Sequence, residues 1–331
     1  MNISSMDGAL SAARFFAPLH LVSNLPAQHS AGSQAWPGIR LLALAGGLLL
    51  VPLLGMASGV PRAKERFANL DGHRIYYRSY GSGNRAMIFL SGWGCDTSLW
   101  RDQVPALVPY SRLLLVDLPG HGRSDKPDIP YTVDQFARAV NAVLEDARVQ
   151  KAAVVGHSMG GLVAYEFARR WPEKTVALIW VDGTFGIPVD VDQQIAGLRK
   201  RAEDFRSPDY QEKVRQFIDQ LYVPQTPTAV RDEVARSVLA TPQHVLVGCL
   251  DGLADRRLYE PHTPLDLPAF AIFSSFWNPE RFIAIFKESL PRFQYQVLTG
   301  VGHYPMLEKP DQVNAALTRF VASIEPELRK Q

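Results

Sequence analysis

Short apolar runs alternate with longer amphipathic stretches between residues 62 and 187 of the chain. Residues 87–90 and 152–155 are apolar runs of strand length, and residues 73–80 alternate between apolar and polar positions as a half-buried strand does. Strands that alternate with helices form a mainly parallel sheet with helices on both faces. The predicted strands are residues 73–80, 87–90, 112–116, 152–155 and 177–181, and the predicted helices are residues 99–108, 133–147 and 162–170.

Between residues 188 and 263 the strand–helix alternation gives way to helices alone. Amphipathic stretches separated by prolines dominate there, and none of them favours a strand. We interpret this segment as a helical cap inserted into one α/β core formed by residues 62–187 and 264–331. The cap helices are predicted at residues 191–205, 210–221, 229–239 and 244–253, and the core resumes with strands at 269–273 and 294–298 and helices at 280–289 and 310–324.

The N-terminal segment differs in composition from this core. Residues 1–37 are low in charge, and we expect them to be poorly ordered. Residues 38–60 contain an apolar run at 41–54, preceded by Arg40 and followed by small residues. This order is typical of a secretory signal peptide, and an uncleaved segment of this kind could anchor the chain in a membrane. We therefore expect an exported domain that is periplasmic, secreted or membrane-anchored; the alternative is a buried helix of the fold.

Composition and charge exclude some classes of protein. The chain has 331 residues, 47% of them hydrophobic, and a formal net charge of +2, which suits one large α/β domain or two small ones. No basic run indicates binding to nucleic acid. Cys95 and Cys249 are too few for a disulfide framework or a metal site, although they could pair with each other. We expect no metal and no cofactor.

The candidate nucleophile is Ser158, which stands between a predicted strand and a predicted helix. Glycines lie two residues before and two residues after it, at Gly156 and Gly160. A sharp strand-to-helix turn needs residues without a Cβ at these positions, and it lifts the serine hydroxyl clear of the sheet. The alternative is a glycine-rich turn with a solvated serine.

A serine hydroxyl needs a base, and the base needs an acid to orient it. His303 lies in a glycine-rich loop after the last predicted strand, and loops that follow parallel strands gather at one edge of a sheet. Asp182 directly follows the strand predicted at 177–181, so we predict that it is the acid; the alternative is that it caps a turn. The other candidate acids are Glu280, Asp251 and Asp255.

Two backbone amides are predicted to form an oxyanion hole. One belongs to Met159, at the start of the helix after Ser158, and the other to Trp93, where flanking glycines let the backbone turn inward. The neighbouring residues predicted to bind substrate are Gly92, His157 and Tyr304.

Four motifs follow one another along the core: Ser91-Gly92-Trp93-Gly94, Asp117-Leu118-Pro119-Gly120-His121-Gly122-Arg123-Ser124, Gly156-His157-Ser158-Met159-Gly160-Gly161, and Gly302-His303-Tyr304-Pro305 with Glu308-Lys309-Pro310. Together they resemble the α/β-hydrolase superfamily over about residues 65–325. The resemblance implies the α/β-hydrolase fold and cofactor-free catalysis. It leaves the substrate open, because the superfamily includes esterases, lipases, acyltransferases and haloperoxidases.

Two positions depart from that family's pattern. Ser91 stands where a histidine usually precedes the oxyanion-hole glycine. The acid that usually follows the seventh strand is absent, with Trp277 near its place. Some members carry the acid after the sixth strand instead, about two dozen residues past the nucleophile, and the 24-residue spacing from Ser158 to Asp182 fits that variant.

The residues and the resemblance together predict a serine hydrolase that cleaves an ester or related acyl bond through an acyl-enzyme on Ser158. Aromatic residues of the cap, such as Phe205, Phe217 and Tyr222, favour a small or medium, partly apolar substrate. One alternative is acyl transfer or perhydrolysis by the same triad. Another, prompted by the missing late acid, is a non-catalytic ligand-binding protein on the same fold.

Overall fold

The computed structural model describes residues 62–186, 190–260 and 264–325. Within them, eight strands form one sheet in the order β1-β2-β4-β3-β5-β6-β7-β8. The strands are β1 (Lys64–Leu70), β2 (His73–Tyr80), β3 (Arg85–Leu90), β4 (Arg112–Val116), β5 (Lys151–His157), β6 (Thr175–Val181), β7 (Ala269–Ser274) and β8 (Phe293–Leu298). The helices are α1 (Val104–Leu107), α2 (Val133–Asp146), α3 (Met159–Arg170), α4 (Val191–Phe205), α5 (Tyr210–Asp219), α6 (Thr228–Ala240), α7 (Gln243–Leu253), α8 (Glu280–Ser289), α9 (Pro305–Glu308) and α10 (Pro310–Ser323).

The six strands β3 to β8 run parallel, and β2 joins them antiparallel at β4. Strands β5 and β6 are interior strands of the sheet, and every residue of β6 is buried. Their continuous apolar sequences follow from this position, because helices cover both faces of a parallel sheet. The predicted α/β-hydrolase fold with a mostly parallel sheet is therefore confirmed.

Strand β1 is absent from the sequence prediction. It pairs antiparallel with β2 at the edge of the sheet, and its first four residues are exposed. An edge strand that buries so little has no apolar run or regular alternation to reveal it. A second difference lies at residues 99–108, where the predicted helix is instead a 3-10 turn, Thr97–Trp100, followed by the short helix α1.

Helices α4 to α7 occupy the segment predicted as a cap. They contact the core through the loop after β3, where the Trp93 indole nitrogen donates to the Leu246 carbonyl at 2.8 Å and the Thr241 hydroxyl donates to the Gly94 carbonyl at 3.1 Å. The cap is thus hydrogen-bonded to the loop that carries one of the predicted oxyanion-hole amides.

The predicted signal or anchor at residues 38–60 and the tract at 1–37 lie outside the described residues, and export stays a prediction. Across the described ranges, no helix combines the length and apolarity needed to span a membrane. Cys95 and Cys249 are buried free thiols, so they do not form the disulfide that the sequence allowed.

Candidate active site

Ser158 occupies the sharp turn between β5 and α3. Its backbone has φ 52° and ψ −121°, a strained conformation for a residue with a side chain. A Cβ on Gly156 would lie 2.2 Å from the Gly160 carbonyl oxygen, and a Cβ on Gly160 would lie 2.4 Å from the Leu90 carbonyl oxygen. Only glycine fits at either position, which explains the spacing around the serine.

His303 reaches Ser158 from the loop that follows β8. Its Nε2 lies 2.9 Å from the Ser158 hydroxyl oxygen. The loop is held from two sides: the His303 amide donates to the Leu221 carbonyl at 2.9 Å, and the Glu308 carboxylate accepts from the amides of Gly302 and Tyr304. These bonds fix the imidazole at hydrogen-bonding distance from the hydroxyl.

Asp182 follows β6 and completes the hydrogen-bonded chain. Its Oδ2 lies 2.7 Å from His303 Nδ1, and its side chain is only 1% exposed. The Ser274 amide donates to Oδ1 at 2.6 Å, and the Trp277 indole nitrogen donates to Oδ2 at 2.7 Å. These donors and the imidazole hold the carboxylate in one orientation. The structure thus brings together all three residues predicted as nucleophile, base and acid.

The two amides predicted to form an oxyanion hole lie on segments that converge on the nucleophile. Met159 is the first residue of α3, and the first amides of a helix have no acceptor within the helix. The loop after β3 passes so near Ser158 that a Cβ on Gly92 would lie 2.9 Å from the Ser158 Cβ. Trp93 follows Gly92, and its indole packs against the rings of Phe205 and Phe217, with centroid distances of 5.7 Å to each.

His157 and Tyr304, which are predicted to bind substrate, are buried against His303. The His157 Nε2 donates to the His303 carbonyl at 2.8 Å, and burial holds the pKa of His157 well below its ordinary value, so its imidazole is neutral. Tyr304 is only 3% exposed, and its ring packs against the rings of His157 and Tyr222. Both side chains support the His303 loop from within the protein, because nearly all of their surface is in contact with other residues.

The loop between β4 and α2 has a structural role beside the site. The Asp117 carboxylate accepts hydrogen bonds from the Thr97 and Arg123 amides at 2.7 and 2.8 Å, and burial raises its pKa to about 6. His121 is fully buried, its Nδ1 bonds the Pro119 carbonyl at 2.9 Å, and burial lowers its pKa to about 4. These contacts hold the loop that begins where β4 ends.

Known proteins match both the sequence and the fold. The sequence profile of the alpha/beta hydrolase family matches residues 87–316. The chain belongs to the alpha/beta hydrolase family. A pimeloyl-[acyl-carrier protein] methyl ester esterase of Yersinia enterocolitica is 30% identical over 263 residues, which are 75% of this chain and 97% of that relative. The corresponding esterase of Serratia marcescens is also 30% identical, over 265 residues, with coverage of 75% and 98%.

Solved structures show the same fold at lower identity. An esterase from Thermogutta terrifontis has a TM-score of 0.70 at 22% identity and covers 80% of this chain and 99% of its own. An enol-lactonase from Burkholderia xenovorans has a TM-score of 0.69 at 21% identity, with coverage of 78% and 100%. This chain therefore has the alpha/beta hydrolase fold over the part that carries Ser158, Asp182 and His303.

Two residues in this alpha/beta hydrolase site have roles that the sequence did not reveal. Trp277 donates to Asp182, although the sequence marked its neighbourhood only as the place where an acid is missing. Glu308 joins the His303 loop to the cap, because it accepts both the Gly302 amide and the Thr226 hydroxyl, the latter at 2.7 Å. The family motif around Glu308 signalled its position, but its partner in the cap is 82 residues away in sequence.

Proposed function

We propose that the protein is a serine hydrolase of carboxylic esters and that it acts through an acyl-enzyme on Ser158. The observation that carries the proposal is the unbroken hydrogen-bonded chain from the Asp182 carboxylate through His303 to the Ser158 hydroxyl. A neutral imidazole that donates from Nδ1 to a carboxylate has its Nε2 lone pair directed at the hydroxyl, which is the arrangement a general base needs.

The proposed reaction has two halves. In the first, the Ser158 oxygen attacks the ester carbonyl while its proton passes to His303 Nε2, and the amides of Met159 and Trp93 bind the oxyanion. The tetrahedral intermediate collapses, and the alcohol leaves with the proton from His303. In the second half, His303 takes a proton from water as the water oxygen attacks the acyl carbonyl. The bond from that carbon to the Ser158 oxygen then breaks, the imidazolium returns the proton to Ser158, and the free acid leaves. Asp182 accepts a hydrogen bond from His303 Nδ1 and stabilises the imidazolium in both halves.

We propose an ester with a partly apolar acyl group as the substrate class. The indole of Trp93 and the ring of Phe217 are partly exposed and pack on the buried Phe205 ring at the oxyanion loop, which suits contact of these two side chains with an apolar chain. The relatives in Yersinia and Serratia act on pimeloyl-[acyl-carrier protein] methyl esters, so a methyl ester of a carrier-bound acyl chain is the first natural substrate to assay.

The test is labelling with a fluorophosphonate probe, followed by peptide mapping and ester hydrolysis assays. We expect label on Ser158, and we expect Ser158→Ala to lose the label and to lower kcat by roughly 10⁶-fold, as loss of a triad serine does in another hydrolase. Ser323→Ala is the matched control, since its hydroxyl only donates to the Phe320 carbonyl in α10. A wild-type protein that takes no label would favour the binding-protein alternative. Product formed from an added alcohol, in preference to the free acid, would favour acyl transfer.

A further inference from the structure

The Trp277 indole lies within the hydrogen-bonded chain rather than beside it. Trp277 ends a 3-10 turn, Ser275–Trp277, that directly follows β7. Its indole nitrogen is 2.7 Å from Asp182 Oδ2 and 3.1 Å from His303 Nδ1, and its ring meets the imidazole edge-on at an interplanar angle of 84°.

Two nitrogen atoms, the Trp277 indole nitrogen and His303 Nδ1, compete for one acceptor, Asp182 Oδ2. When His303 Nδ1 carries a proton, both it and the Trp277 nitrogen are donors, and both share the single acceptor Asp182 Oδ2. The 3.1 Å contact between the two nitrogens can become a hydrogen bond only if Nδ1 loses its proton. The other carboxylate oxygen, Oδ1, is already occupied by the Ser274 amide.

Sharing Oδ2 weakens the attraction of Asp182 for the imidazolium. A hydrogen-bond donor to a carboxylate partly neutralises its negative charge, so the carboxylate attracts a neighbouring cation less strongly. Because the Asp182 side chain is almost fully buried, water cannot replace a lost donor freely. Removing the indole N–H would therefore leave Oδ2 to His303 alone and strengthen that bond.

We propose that Trp277 is a positioning residue that sets the basicity of His303 through the oxygen they share on Asp182. The inference rests on the proposed function, since it concerns the base of that reaction. Three further ionisable groups face the same imidazole or its loop: His157, with ring centroids 4.7 Å apart, Tyr304 at 5.4 Å, and Glu308, which binds the amides on either side of His303. None of these groups contacts Asp182 Oδ2, so their influence is the same with and without the indole N–H.

The test compares the pH dependence of kcat/KM for wild type, Trp277→Phe and Trp277→Gln, with p-nitrophenyl butyrate as substrate. Phenylalanine retains an aromatic ring without a donor, whereas glutamine retains an N–H donor without the ring. We expect the midpoint of the acid limb to rise by about one pH unit in Trp277→Phe and to return toward the wild-type value in Trp277→Gln. Trp171→Phe is the matched control, since Trp171 caps the far end of α3, and its midpoint should not move.

Each outcome decides a different point. Equal midpoints in wild type and Trp277→Phe overturn the inference, whatever happens to kcat. Equal shifts in Trp277→Phe and Trp277→Gln also overturn it, because they attribute the effect to packing instead of the N–H. If Trp277→Phe does not fold, Trp277→Gln and a benzothienylalanine variant, which replaces the indole N–H by sulfur, provide the same comparison. Wild-type protein without hydrolysis that depends on Ser158 overturns the proposed function and this inference with it.

Discussion

Replacing Asp182 with asparagine changes one oxygen of a buried side chain to an amide group and leaves its size unchanged. Three donors surround the native carboxylate: the Ser274 amide on Oδ1, and the Trp277 indole and His303 Nδ1 on Oδ2. An asparagine has one acceptor oxygen and one donor group, so it cannot accept from both sides. In either of its two orientations, the asparagine NH₂ group therefore faces a protein N–H donor without an acceptor between them.

The two orientations fail in different ways. If the amide oxygen faces His303, the NH₂ group faces the Ser274 amide, and the unpaired buried donors cost about 1–3 kcal/mol of stability. The imidazolium also loses its negative partner. If the NH₂ group faces His303 instead, Nδ1 must accept, the proton moves to Nε2, and the imidazole can no longer take the proton of Ser158. In a serine protease the same substitution lowers kcat by about 10⁴ through this wrong tautomer, or about 5 kcal/mol of the barrier.

We expect Asp182→Asn to slow both fluorophosphonate labelling of Ser158 and ester turnover by roughly 10³–10⁴-fold while the protein remains folded. Asp251→Asn is the control, because this carboxylate pairs with Arg206 on the exposed surface of the cap and should leave labelling within about twofold. Circular dichroism and thermal unfolding distinguish lost chemistry from lost structure. Labelling of Asp182→Asn at the wild-type rate would refute the assignment of Asp182 as the acid.

Two further substitutions test the elbow and the pH dependence of stability. Gly160→Ala should lower both Tm and turnover, because its Cβ would lie 2.4 Å from the Leu90 carbonyl oxygen and cost about 1–3 kcal/mol of stability. The control is Gly197→Ala in α4, which should raise Tm slightly because nothing lies within 4 Å of its Cβ. Equal changes in Tm for the two variants would contradict the argument. Burial lowers the pKa of His121 to about 4, so its contribution to stability is present above its unfolded value of about 6.5 and is lost as pH falls toward 4. We therefore compare the free energy of unfolding at pH 7.5 and pH 5, measured by urea denaturation, in wild type and in His121→Asn, whose amide can still donate to the Pro119 carbonyl. The difference between the two pH values should be about 2 kcal/mol smaller in the variant. The same difference in both proteins would show that His121 titrates normally.

The central strands of the fold could be predicted because their sequences are set by burial alone. Strands β3, β5, β6 and β7 lie between two layers of helices, so each is an apolar run that no amphipathic helix imitates. The edge strand β1 buries only Ala68 and Leu70, so its sequence has no apolar run, although the two-residue turn Asp71-Gly72 joins it directly to β2. Helix α2 could be predicted because its apolar residues recur at helical spacing and Thr132 caps its start, and both are local signals. The 3-10 turn at Thr97–Trp100 is predicted as part of a longer helix.

The residues of the site also differ in how far the sequence around each of them predicts its role. Ser158 and His303 are marked by the glycines around them, since local backbone geometry requires those glycines. The supporting roles of Trp277, Glu308 and His157 depend on contacts 95, 82 and 146 residues apart in sequence. Such contacts appear only when the sheet order brings the loops together, and no spacing rule in one sequence encodes them.

The position of the acid follows from how β6 and β7 lie in the sheet. The two strands are parallel neighbours, with Val181 opposite Ile272, and the Asp182 amide donates to the Ile272 carbonyl at 2.7 Å. Adjacent strands are about 4.8 Å apart, so a carboxylate can leave either strand end and still reach the same imidazole. Asp182 does so with a backbone φ of 47°, which turns its side chain toward β7, where the Ser274 amide receives it. The acid after β6 thus takes donors from the end of β7 and from the turn that follows it, and Trp277 supplies the second of them from near the place where family members usually carry the acid itself.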